Sequence, residues 1–142
     1  MVRFWDSSAL VSLVAGQSAA EQLKEMVEGD GGLALWWATR VESIAAIWGL
    51  CRRGAFDEAN AQRAVEEVEA FVSDADEVAP ADGIREMARR LLRVHSLRAA
   101  DALQLAAALV WAGPDPSGVG FVCLDRRLGG AAAREGFAVV PR

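Results

Sequence analysis

Five short strand-like runs, at residues 2–6, 33–37, 76–79, 119–124 and 137–140, alternate with helix-patterned segments along almost the whole chain. The helical segments fall near 7–15, 18–28, 39–53, 57–73, 81–94, 97–112 and 126–135. Alternation of this kind predicts an α/β fold with a central parallel sheet covered by helices on both faces. Gly29-Asp30-Gly31-Gly32 and Gly113-Pro114-Asp115-Pro116-Ser117-Gly118 mark two of the borders with turn chemistry. A chain of 142 residues suits a single domain over 1–142, and 53% hydrophobic residues are enough to bury a core. The opening apolar run is brief and lacks a basic leader, so neither a signal peptide nor a membrane span is expected, and a cytoplasmic location follows. Cys51 and Cys123 have no metal-ligand spacing and read as reduced core residues.

Four carboxylates stand against this apolar pattern. Asp6 closes the run Val2-Arg3-Phe4-Trp5, and Asp125 closes Gly120-Phe121-Val122-Cys123-Leu124. Both are therefore expected at the C-terminal ends of strands, the edge of a parallel sheet where ligands bind. Asp101 shares a helical face with Leu97, Leu105 and Ala108, and Glu42 shares one with Ala38, Ala45, Ala46 and Gly49. An ionised carboxylate buried without a partner is costly, so each needs pairing, neutralisation or a cation. Structural roles compete: Asp6 and Asp125 also suit helix N-caps. Thr39-x-x-Glu42 fits a capping box, and Asp101 has Arg98 or Arg93 as possible ion-pair partners, although no cap explains it if its helix starts near Ser96. Jointly, the four acids fall where one site could collect them.

Phe4-Trp5-Asp6-Ser7-Ser8-Ala9-Leu10-Val11, Thr39-Arg40-Val41-Glu42, Leu97-Arg98-Ala99-Ala100-Asp101-Ala102-Leu103-Gln104-Leu105-Ala106 and Leu124-Asp125-Arg126-Arg127-Leu128 with Gly136-Phe137 together resemble the PIN-domain signature. Their order and spacing resemble the VapC toxins, ribonucleases of bacterial toxin–antitoxin pairs. The resemblance spans Val2 to Val140. It implies a three-layer α/β/α PIN-like nuclease fold, with Asp6, Glu42, Asp101 and Asp125 at the family's acidic positions, holding divalent metal for RNA cleavage. It also implies a homodimer and a small antitoxin that occupies a groove and obstructs the site. Many relatives carry Thr or Ser two residues before the last acid, where this chain has Cys123, whose thiol is a weaker hydrogen-bonding group.

An all-carboxylate donor set suits Mg²⁺ or Mn²⁺ better than zinc. The expected chemistry is metal-dependent endoribonuclease hydrolysis, in which Asp6, Glu42 and Asp101 hold one ion and activate water, while Asp125 completes the site or holds a second. The sole histidine, His95, is expected to cap a helix C-terminus or face solvent, which disfavours a histidine-based mechanism. A phosphoacceptor receiver would need a late lysine, and the only lysine is Lys24; a haloacid-type phosphatase would need Asp where Ser8 stands. No phosphate-binding glycine loop is present. The remaining alternative is a noncatalytic PIN-like module that binds RNA or protein, whose mark would be loss of a site acid.

A net charge of -5 runs against nucleic-acid binding, but its distribution is uneven. Residues 85–98 hold Arg85, Arg89, Arg90, Arg93 and Arg98 against Glu86 alone, whereas 57–77 holds eight acids against Arg63. Arg98, Arg126 and Arg127 adjoin the acids and are the candidate substrate-binding residues; the other arginines suit RNA contact, antitoxin contact or plain solvation equally. Trp36 and Trp37 are adjacent, so on a one-sided sheet one of them would mark an interface, while a sheet buried on both faces needs no partner for either.

Overall fold

The computed structural model describes all 142 residues. Five strands, β1 (Phe4–Trp5), β2 (Ala34–Trp36), β3 (Asp76–Val78), β4 (Gly120–Val122) and β5 (Ala138–Val140), form one sheet in the order β3-β2-β1-β4-β5. Every neighbouring pair is parallel. Seven helices connect them: α1 (Ser7–Val14), α2 (Ala20–Asp30), α3 (Thr39–Arg52), α4 (Glu58–Asp74), α5 (Asp82–Val94), α6 (Ala99–Ala112) and α7 (Arg126–Arg134).

The two-residue period of the strands sorts their side chains into two cores. Phe4, Ala34, Trp36, Phe121 and Cys123 point to one face and pack against α5, α6 and α7 through Ile84, Leu91, Leu105 and Leu128. Trp5, Leu33, Leu35 and Val122 point to the other and pack against helices α1 to α4 through Leu10, Leu23, Ile47, Ala61 and Val68. This is the three-layer α/β/α arrangement expected from the alternation. Ala102, Ala106, Ala107 and Ala108 are fully buried, so the small side chains of α6 let its backbone lie close to the sheet. The glycines after α2 end it: Gly31 adopts φ 74°, and the Gly31 and Gly32 amides donate to the carbonyls of Glu28 and Val27.

The sheet order places the site. From β1 the chain steps outward to β2 and β3, then returns to lay β4 on the other side of β1. The connections thus diverge between β1 and β4, which opens a crevice at the C-terminal edge of the sheet at that point. Asp6 follows β1 and Asp125 follows β4 by three residues, so both acids flank that crevice.

Several local expectations change. Trp36 is buried while Trp37, beyond the end of β2, is 55% exposed, so the pair divides between core and surface. His95 stands at the C-cap position of α5 as expected but does not face solvent. Its ring is buried, with Nε2 2.7 Å from Glu135 Oε2, and Glu135 also accepts from Arg90 at 2.7 Å. Arg90 is therefore engaged in an ion pair with Glu135. Cys123 is buried, whereas Cys51 is only half-buried.

Candidate active site

Asp6 is 2% exposed and does two jobs at once. Its Oδ1 accepts from the Ala9 amide at 3.3 Å, capping α1, and both carboxylate oxygens accept from the Ser8 hydroxyl, at 2.8 and 3.0 Å. Ser8 in turn accepts from the Leu124 amide at 3.0 Å, tying the β1 and β4 ends together across the crevice. Burial pushes the Asp6 carboxyl up from 3.8 to about 6, although the hydrogen bonds from Ser8 and Ala9 pull the other way.

Asp125 is exposed and caps α7, its Oδ1 accepting from the Leu128 amide at 3.0 Å. The N-cap readings of Asp6 and Asp125 thus hold, and both residues also line the crevice. Asp101 lies in the first turn of α6, because that helix begins at Ala99 rather than near Ser96. The helix N-terminus favours a negative charge there. No arginine reaches ion-pair distance of Asp101. Its carboxyl is pushed up first by burial and then by Asp125, against the weaker pull of Arg98 and Arg127.

Glu42 makes no capping box. Thr39 is already inside α3, the N-cap is Ala38, and no side chain caps that terminus. Instead Glu42 Oε1 accepts from Gln104 Nε2 at 2.7 Å. Burial raises its carboxyl and Asp101 adds to the rise, while hydrogen bonds from Gln104 and Ser7 oppose it.

Asp6, Asp101 and Asp125 line one open cleft of about 320 Å³, together with Ser7, Ser8 and Gln17. A second cleft of about 340 Å³ shares Asp101 and Asp125 with it and is otherwise lined by Arg98, Arg126 and Arg127. Glu42 stands beside the acids, close enough to feel Asp101, rather than on the cleft wall. The acids do not close into a cage, since no three of them converge to ligand spacing around one point. An apolar groove of about 370 Å³ between Trp37 and Ile84 contains none of the four.

Whether this donor set fits a cation follows from its chemistry. All four groups are carboxylates, and two neighbouring pairs, Asp101 with Asp125 and Glu42 with Asp101, repel when ionised. A hard divalent ion would relieve that repulsion and prefers oxygen ligands, so the donor chemistry suits Mg²⁺ or Mn²⁺, while the acids stand wider than ligand spacing. Ser8 and Gln104 are the polar groups that inspection of the acids alone misses. Ser8 had a signal in its spacing two residues after Asp6, and Gln104 had one as the single amide in an Ala- and Leu-rich helix.

The sequence profile of the PIN domain matches residues 3–112, a span that includes Asp6, Glu42 and Asp101. The chain belongs to the PIN-domain family. PIN domains are generally nucleases and typically use divalent metals. Among solved structures, this PIN domain is similar to PAE2754 from Pyrobaculum aerophilum, with 24% identity and a TM-score of 0.67 over 97% of this chain and 89% of the other. That likeness extends the fold past the profile match to the α7 and β5 region. No curated protein sequence matches significantly. No helix of this PIN domain is long and apolar enough to cross a membrane.

Proposed function

We propose that this PIN domain is a divalent-metal-dependent endoribonuclease, the VapC-type toxin of a type II toxin–antitoxin pair, acting in the cytoplasm. The observation that carries the nuclease reading is the joining of two clefts at the sheet's switch point: an acidic one with Asp6, Asp101 and Asp125, and a basic one with Arg98, Arg126 and Arg127.

In this reading Asp6, Glu42 and Asp101 hold one Mg²⁺ or Mn²⁺, and Asp125 completes the site or holds a second. A bound cation of this class makes water more acidic and offsets charge on the reacting phosphate. The protein's own groups do the rest. Arg98, Arg126 and Arg127 grip phosphates flanking the scissile bond, which orients the strand across the acids and counters the net charge of -5 locally. Ser8 and the Ala9 amide hold Asp6 in one orientation as an acceptor facing the cleft. The partners in this reading are an RNA substrate, a second copy of the chain and a small antitoxin that obstructs the cleft. The exposed Trp37 favours such protein contact, because a large aromatic gains much from burial.

Calorimetric titration of Mn²⁺ into the purified protein, free of any antitoxin, beside its Asp101→Asn variant tests the site, and RNA cleavage with Mg²⁺ or with chelator tests the activity. Binding and cleavage by the wild type, both lost in a folded Asp101→Asn variant, are expected. Cleavage retained by that variant would refute the mechanism; neither binding nor cleavage by the wild type would favour the noncatalytic module.

A further inference from the structure

Gln104 is 1% exposed, fully inside α6, three residues beyond Asp101. A primary amide has two N–H donors and an oxygen with two acceptor sites. Here the Nε2 group donates twice, to Thr39 Oγ1 at 2.8 Å and to Glu42 Oε1 at 2.7 Å. The Oε1 atom is buried with no partner. An unpaired buried amide oxygen is destabilising, and a leucine or methionine in this core helix would not carry one. The position is therefore poorly explained by packing.

The direction of the amide explains it better. Turned over, Oε1 would face the Glu42 carboxylate, two acceptors against each other. Facing as it does, the amide gives both hydrogens to oxygens on the first turn of α3, and the fully buried Thr39 hydroxyl fixes one of them. The second is then aimed at Glu42. Gln104 and Asp101 share α6, so one rigid helix sets the separation of the two acids. Glu42 meanwhile has no capping role to hold it and feels repulsion from Asp101, with the Ser7 side chain its weaker second partner.

We infer that Gln104, anchored by Thr39, is the positioning residue that holds the Glu42 carboxylate beside Asp101 for cation binding; its link to metal rests on the nuclease reading above. Replacing it by a residue of similar volume without N–H groups preserves the packing and removes the clamp. Loss of a group that orients a metal ligand commonly weakens affinity by about 10–100-fold.

The test is Gln104→Met, with Thr39→Val as a second variant that carries the same readouts should the first not fold. Two quantities are measured: the Glu42 side-chain position in crystals grown without metal, and the Mn²⁺ affinity by calorimetry. The expected result is a Glu42 carboxylate turned away from its wild-type place and Mn²⁺ affinity at least about tenfold weaker, with melting temperature little changed. Glu42 unmoved in crystals of a folded variant, or undiminished Mn²⁺ affinity, would overturn the inference. If the wild type itself takes no Mn²⁺ yet Glu42 moves in the variant, the metal reading fails and the positioning role stands.

Discussion

Replacing Asp6 by Asn should stabilise the metal-free protein at neutral pH, an unusual outcome for a buried polar residue. Burial carries the Asp6 carboxyl from 3.8 to about 6. At about 1.4 kcal/mol per tenfold, that displacement means that ionised Asp6 weakens the fold by up to about 3 kcal/mol. Below about pH 4 the acid is protonated in the folded and unfolded chains alike, so no penalty exists. Between about 4 and 6 the unfolded chain releases its proton first, stability falls as pH rises, and above about 6 the whole penalty is present. Asparagine carries no charge, and its Oδ1 can still accept from Ala9 while Ser8 Oγ, already accepting from Leu124, has room for an amide hydrogen. The gain should therefore be up to about 3 kcal/mol at pH 7.5, or roughly 5–10 °C in melting temperature for a domain of this size. Thermal melts by circular dichroism, with chelator, at pH 7.5 and pH 4 provide the assay. Added Mn²⁺ should raise the wild-type melting temperature and leave the variant unmoved. An Asp6→Asn variant no more stable than wild type at pH 7.5, or equally stabilised at both pH values, would refute the reasoning.

Glu135→Gln should destabilise the fold by about 1–2 kcal/mol in urea titrations, because it strips Arg90 of a charged partner and weakens the contact with buried His95. The Arg90 hydrogen bond holds the Glu135 carboxyl below its ordinary 4.5, so this contribution is present above that pH and disappears as pH falls through and below it. Wild type and variant should accordingly converge in acid. Cys123→Ser should strengthen Mn²⁺ binding by a few-fold near pH 6. The thiol now donates weakly to the Asp125 carbonyl at 3.3 Å and sits against Asp6, and a hydroxyl there stabilises ionised Asp6 more strongly. Unchanged affinity in calorimetry would show that the sulfur is an adequate donor.

The layers of this fold were legible because alternation and turn residues are local signals. Each strand is shorter than the run that announces it; Leu33 and Cys123 lie just outside the strand bounds but still pack into the cores and share backbone hydrogen bonds with Asp76 and Val140. The site was legible as a set of acids but not as a network. Thr39 and Glu42 have the spacing of a capping box, yet α3 starts at Thr39 itself, and the partner that claims Glu42 is 62 residues away. The C-cap place of His95 was legible, but its burial was not, because Glu135, 40 residues on, accounts for it. Because α6 begins at Ala99, Asp101 falls in its first turn, half-buried and bordering the cleft, where the expected helix start near Ser96 would have set it a turn further in. Partnerships across such separations leave no periodic trace.

The placement of β1 between β2 and β4 has a bearing on how the protein is made. Synthesis runs from the N-terminus, and a domain generally folds as a unit once its chain has been made. Asp6, Glu42 and the first three strands are complete long before the segment that seals the other side of β1. Ser8 waits for Leu124, 116 residues later, and the cleft waits with it. A chain cut short before β4 would carry two or three of the acids but no walled cleft, and would present the bare edge of β1 to its surroundings. The walled cleft is thus among the last things this chain acquires, which separates the moment its acids are synthesised from the moment they share one site.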